Sequence, residues 1–386
     1  MRRAVATMLA CLFGAFCLCF SFPALAQSQA AKRYGLIEIG GSGVKGRIVR
    51  LEWSAEGPVL TVERALQIYN FNVAAPESAP AIAQAVARRA LDLRREYGVE
   101  PLSIYLVADA GVAALPHAPA LKQAVDEAVA GSAGALAYVS SRDQARLGFN
   151  GLLTCARLAH RRAQVLYVDV GSAETTLAAA TGGSTCSKEE VFGLSLGLGV
   201  KSAAIAHQGL GDEERLGELR GQVEARLQQA PKASLERPRV YLGGGIAWAL
   251  ATMLHPQRTE RFVPISADDI DRLRRQLASD PACVTSPERA LVAEPQCGFV
   301  DLNFLEIGPA NERYRVVNEH REIVTSIFTL EQLKTGLDLL QSLADALQLQ
   351  ERVVFFARPA LDAWVLGFLL EREAAGEQVA NARIIE

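Results

Sequence analysis

Two short stretches of this chain place a carboxylate, glycines and small side chains at the end of an apolar run. Glu38-Ile39-Gly40-Gly41-Ser42 and Asp169-Val170-Gly171-Ser172-Ala173 follow one template, 131 positions apart. A glycine turn lets the backbone come close to a ligand and aim several N–H groups at it, and phosphate oxygens suit such a set of donors. This makes Gly40, Gly41, Ser42, Gly43, Gly171 and Ser172 candidate phosphate contacts. A carboxylate at a strand end can hold a hydrated divalent cation that offsets phosphate charge, so Glu38 and Asp169 are candidate magnesium ligands. Gly243-Gly244-Gly245, ahead of an apolar helical segment, adds a third donor cluster through Gly243 and Gly244. Each turn alone also reads as an ordinary hairpin. Three in this order, each after an apolar strand, point to one anion held from several sides.

The elements around the turns alternate between strands and helices, which places the chain in the α/β class. Strands are expected at 34–39, 47–53, 60–66, 103–107 and 135–139, with helices at 79–97, 121–130 and 142–159. The pattern then restarts with strands at 164–168, 175–180, 191–194 and 240–242, a helix at 246–254, further helices at 267–278 and 330–347, a strand at 353–356 and a closing helix from about 360 to 372. The restart reads as an internal duplication of architecture. It implies one lobe over 32–158 and a second over 162–386, the latter containing an irregular segment at 280–311.

The N-terminus reads as a secretory signal: Arg2 and Arg3, an apolar run to Phe22, and Ala24-Leu25-Ala26 as a cleavage site. Cleavage after Ala26 would leave a periplasmic or secreted protein without a stable membrane anchor, although the run approaches the length of a span. About 360 residues then remain, enough for two cores. The 40 basic residues lose Arg2 and Arg3, leaving 38 against 43 acidic ones, a net charge of −5. That balance argues against a nucleic-acid partner. Four cysteines remain, Cys155, Cys186, Cys283 and Cys297. They permit two disulfides in an oxidising compartment or stand as isolated thiols. Oligomeric state is open, a homodimer included.

The order of the three glycine turns is similar to that of the actin-like ATPase superfamily, a duplicated ribonuclease H-like fold of two lobes. Within it the chain resembles the exopolyphosphatase and guanosine pentaphosphate phosphohydrolase (Ppx/GppA) family. Glu38 to Lys45 stands in place of the first family motif, D-I-G-S-N-S-V-R-L. Val139-Ser140-Ser141-Arg142-Asp143-Gln144-Ala145-Arg146-Leu147 aligns with I-S-G-x-E-E-A-R-L. Asp169 to Leu177 aligns with D-I-G-G-G-S-T-E-L, and Leu194 to Gly199 resembles S-L-P-L-G. The resemblance covers about 34–254.

It implies hydrolysis of phosphoanhydride bonds, in polyphosphate or a guanosine polyphosphate, assisted by Mg2+. Positioned donors and the metal would stabilise charge on the transferring phosphoryl group. Asp143 stands where the family has the carboxylate that handles the attacking water. Lys45 and Arg146 are the cations in motif positions, although a solvated strand or helix face accounts for them equally. Several positions depart from the pattern. Glu38 replaces aspartate, Ser141 replaces glycine, and Thr176 stands where the second motif has glutamate. Glu174, two residues earlier on the same strand face, is the candidate substitute. The family arginine of A-T-S-A-L-R falls on Ala113, and Asp109 in that segment would repel a polyanion unless a metal lies between them. A catalytically inactive phosphate- or polyphosphate-binding or assembly protein that keeps the cleft is therefore the competing expectation.

Overall fold

A computed structural model describes residues 31–384 apart from 55–56, 155–158, 183–190, 257, 283–318 and 320–321. The expected signal segment, all four cysteines and most of 280–311 lie outside the described residues.

The chain opens with a long hairpin, β1 (Lys32–Gly40) and β2 (Gly43–Ser54), continued by β3 (Gly57–Ala65) and the short β4 (Tyr69–Asn70). Helix α1 (Ala79–Arg95) leads to β5 (Ile104–Ala108), which pairs in parallel with β1. A single turn of helix, α2 (Ala110–Ala113), then α3 (Ala118–Val129) and β6 (Leu136–Tyr138), complete a sheet of order β3-β2-β1-β5-β6, with β4 on β2. From Tyr34 to Gly40 every residue of β1 is buried, as a central strand covered on both faces requires. Glu38 is the one charged residue in that run.

Helix α4 (Ser141–Leu152) follows, then β7 (Val165–Val170), β8 (Thr175–Ala180) and β9 (Val191–Ser195) as an antiparallel meander. Helices α5 (Val200–Ala206) and α6 (Asp212–Leu227) precede β10 (Arg239–Gly243), which joins β7 in parallel. Helix α7 (Gly245–Leu254), β11 (Phe262–Pro264), α8 (Ala267–Ser279), α9 (Leu330–Ala346), β12 (Val353–Ala357) and α10 (Ala363–Ile384) complete the described chain. The second sheet runs β11-β12-β10-β7-β8-β9. Both sheets are thus built from an antiparallel meander extended by parallel strands, β3-β2-β1-β5-β6 against β9-β8-β7-β10-β12. This is the duplication that the repeated turns imply.

Two helices tie the halves together. Ala145, Phe149 and Leu152 of α4 pack with Val165, Tyr167 and Ala178 of the second sheet. Trp364, Val365, Phe368 and Leu369 of α10 instead pack on Tyr34, Leu36, Val49 and Val107 of the first. Each helix therefore lies on the sheet opposite to its place in the chain order. They cross in close contact: a Cβ on Gly367 would come 2.1 Å from the Leu147 carbonyl oxygen, and one on Gly151 1.9 Å from that of Ala363. Only glycine allows backbones this near. Helix α4 stops at Leu152, where Leu153 leaves helical geometry, earlier than its apolar spacing suggests. Helix α10 continues to Ile384, well beyond the expected end. Among the described residues no helix is long and apolar enough to cross a membrane.

Candidate active site at the seam of the two glycine turns

The β1–β2 and β7–β8 turns meet at the junction of the two sheets. Ser42 Oγ lies 3.2 Å from Ser172 Oγ, either hydroxyl donating, and a Cβ on Gly41 would come 3.4 Å from the Ser172 Cβ. The turns therefore face one another, and they are in contact. The third glycine cluster closes against them. Gly244 has φ +88° and packs on Val170, whose carbonyl oxygen lies 2.1 Å from where a Cβ would sit. A Cβ on Gly243 would be 3.3 Å from Asp169 Oδ1. Gly43, with φ +129°, turns the first hairpin under Tyr69, and Ser42 accepts a bond from the Phe71 N–H at 3.4 Å.

Glu38 and Lys45 are opposite residues of the β1–β2 ladder, and Arg47 follows two positions later on the same face of β2. Lys45 Nζ donates to Glu38 Oε1 at 2.9 Å and Arg47 Nη1 to Oε2 at 2.8 Å. Arg47 also donates to Asp362, just before α10. Burial alone would raise the Glu38 pKa, but Lys45 and Arg47 overcome it and hold the carboxyl below its usual range. Both Glu38 oxygens are committed to cations. Glu38 thus fixes Lys45 and Arg47, and as a magnesium ligand it would have to release one of them.

Asp169 is the contrasting case. It is partly buried at the end of β7 beside Tyr167, and desolvation pushes its carboxyl up to about 7 against the lowering charge of Lys45, with Glu38 and Glu174 adding repulsion. A dication would relieve that cost. Glu174, in the same turn, accepts from Ser195 Oγ at 2.6 Å through Oε2, while its Oε1 is buried without a hydrogen-bond partner among the described residues. Thr176 pairs with Asp169 across the β7–β8 ladder, and its hydroxyl also has no partner among the described residues. Asp169 with water as the remaining donors suits magnesium, which commonly keeps several waters. Among the described residues no group of three or more His, Cys, Asp or Glu side chains is arranged to hold a metal ion.

The α4 candidates are engaged elsewhere. Asp143 sits in the first turn of α4, capped by Ser140: its N–H donates to Ser140 Oγ at 3.1 Å, and Ser140 Oγ donates to its Oδ2 at 2.8 Å. Arg146 is buried, not a solvated cation. It donates to Asp143 Oδ1 at 2.9 Å and through two nitrogens to Glu371 of α10. Arg146, a candidate phosphate contact, thus ties α4 to α10. The next residue of the motif, Gln144, is the one that reaches towards the turns, its Oε1 accepting from the Ala110 N–H at 2.9 Å.

Lys201 was missed by sequence reasoning. It lies in the first turn of α5, half-buried, with Nζ 3.4 Å from the Gly41 carbonyl oxygen. Burial first, then the Lys45 charge, lowers its pKa. Its position directly after Leu194–Gly199 was the available signal, since a segment seated on the second turn brings the next residues to the seam. The Lys201 N–H indeed donates to the Ser172 carbonyl at 2.8 Å.

The geometry can be compared with known proteins. The Aquifex aeolicus member of the Ppx/GppA protein family is similar in structure over 90% of this chain and 99% of its own, with TM-score 0.57 and 13% identity. An exopolyphosphatase from Cytophaga hutchinsonii is similar over 88% of this chain and 97% of its own, with TM-score 0.59 and 13% identity. The chain has the Ppx/GppA fold. No family model matches the sequence, and a search of curated proteins finds no match. At this identity the likeness to the Ppx/GppA structures is one of fold, and the chemistry rests on the seam itself.

Proposed function

We propose that this chain is an exported phosphohydrolase of Ppx/GppA type, cleaving phosphoanhydride bonds of polyphosphate or a guanosine polyphosphate with Mg2+. The observation that carries this reading is the Ser42–Ser172 contact. It brings two glycine turns from opposite halves of the chain together beside Lys45, Lys201, Asp169 and Glu174. A phosphate chain entering the seam would part the turns and meet their hydroxyls and backbone donors, with Lys45 and Lys201 supplying charge. Magnesium, held at Asp169, would supply charge neutralisation at the phosphate oxygens. Glu174 is the better placed water-handling carboxylate. Ser195 fixes one oxygen, and the other is unpartnered and able to accept the proton of the attacking water. The water oxygen bonds to the terminal phosphorus, the bridging P–O bond breaks, and its electron pair leaves with the shortened chain. Asp143 remains the alternative base from its motif position. The exopolyphosphatase from Cytophaga hutchinsonii supports the substrate class through its shared fold.

A second reading, phosphate binding without turnover, is favoured by one observation: the donors of the first turn already have internal partners. Lys45 is paired with Glu38, and the Gly41 N–H is bonded to Asp109. Phosphate release from long-chain polyphosphate and from pppGpp with magnesium separates the two. The hydrolase should release phosphate, Glu174→Gln should abolish it, and Asp143→Asn should show whether that residue contributes. Binding without release in the wild type would select the second reading. Export is checked by N-terminal sequencing of the secreted or periplasmic protein, which should begin at Gln27.

A further inference from the structure

We infer that Asp109 is a resident competitor for the anion site: its carboxylate occupies the donor of the first glycine turn that a phosphate oxygen would take. This rests on the phosphate-binding reading of the seam.

Asp109 directly follows β5 and caps α2, its Oδ1 accepting from the Val112 N–H at 2.8 Å. Its Oδ2 turns the other way and accepts from the Gly41 N–H at 3.2 Å. A Cβ on Gly40 would come 3.1 Å from the same oxygen, so the turn glycines let the carboxylate lie against the backbone as an anionic ligand would. Lys45 acts on Asp109 by charge, just as it would on a bound phosphate. The turn that carries Asp109 also touches the second glycine turn. A Cβ on Gly111 would fall 2.3 Å from the Ala173 Cβ. The segment 109–113 is therefore wedged against both turns, with its one negative charge directed at the first.

Capping α2 needs only one oxygen, and serine, threonine or asparagine would serve. The second oxygen is what makes the residue a ligand analogue. A phosphate entering the seam must displace Oδ2 from Gly41 and from the field of Lys45, and it meets a like charge if Asp109 stays. Both effects lower affinity for every phosphate-bearing anion, whatever group the phosphate carries. The absence of an arginine at Ala113 and the presence of Asp109 thus act together: the segment that would attract the ligand is replaced by one that imitates it.

Tripolyphosphate binding to the mature chain, measured by calorimetry with and without magnesium, tests this. Asp109→Asn keeps the cap and removes the charge, Asp109→Ala removes both, and Asp109→Glu keeps a carboxylate. The Asn and Ala variants should bind about tenfold tighter than wild type, or about 1.4 kcal/mol, while the Glu variant should show no gain. The Gly41 amide should also exchange faster with solvent in the unliganded Asn variant. Wild-type binding with no gain in a folded Asn variant would overturn the competitor role and leave the phosphate site standing. No binding by any of the four proteins would overturn both.

Discussion

Replacing Asp169 by asparagine should make the protein more stable above neutral pH, and by an amount that follows from the seam. The Asp169 carboxyl is held at about 7 against an ordinary 3.8, chiefly by desolvation. Between these values the folded state keeps a proton that the unfolded state has released. The unfolded state therefore binds fewer protons, and stability falls as pH rises from about 4 to about 7. At 1.36 kcal/mol per unit the full loss is about 4 kcal/mol by pH 8. Coupling to Glu38, Glu174 and Lys45, and water reaching the crevice, reduce this to about 2 kcal/mol. Asparagine resembles the protonated acid and escapes the loss. Urea unfolding of wild type and Asp169→Asn from pH 3 to 8.5 should give curves that coincide near pH 3 and diverge to about 2 kcal/mol at pH 8, the variant being the more stable. Asp109, raised to about 6 mainly by burial, adds a slope of the same sign to both proteins and cancels in the difference. A difference independent of pH, or a variant less stable at pH 8, would refute the reasoning that an uncompensated carboxylate is stored at this seam.

Millimolar magnesium should raise the melting temperature of wild type at pH 8 and leave Asp169→Asn unchanged, because the dication offsets the same buried charge. Glu174→Gln should lower phosphate release more than 100-fold while tripolyphosphate binding, read by calorimetry, stays within a few fold. Gly367→Ala should cost about 3 kcal/mol in urea unfolding, since its Cβ would meet the Leu147 backbone at the α4–α10 crossing. Arg215→Ala should cost about 3–5 kcal/mol by the same measurement. It would leave Asp338, bonded to Arg215 at 2.7 Å and almost wholly buried, without its nearest cation.

The turns were legible because glycine, serine and a terminal carboxylate carry their chemistry locally. Apolar runs such as 34–39 and 164–168 announced their strands for the same reason: a central strand needs no partner to look buried. Elements that depend on what lies across the fold were not legible. The residue spacing of α4 suggests helix to 159, but it ends at Leu152, next to the Gly151 crossing with α10. Along the chain Arg146 reads equally as a phosphate contact or a solvated helix cation, whereas Glu371, 225 positions later, holds it.

The sequence by itself determined the α/β alternation, the duplication and the chemical character of the three glycine turns. Periodicity, turn chemistry and a 131-residue repeat are all written along the chain. Only the tertiary structure decided what the carboxylates do. Glu38 and Asp169 occupy matching places in one template. Yet one is neutralised by Lys45 and Arg47, with Asp362 brought in from 315 positions away, while the other makes no ion pair among the described residues and feels Lys45 only through its field. A carboxylate's role depends on the charges and solvent within a few ångströms, and those neighbours are assembled by sheet register and helix crossing, not by proximity in sequence.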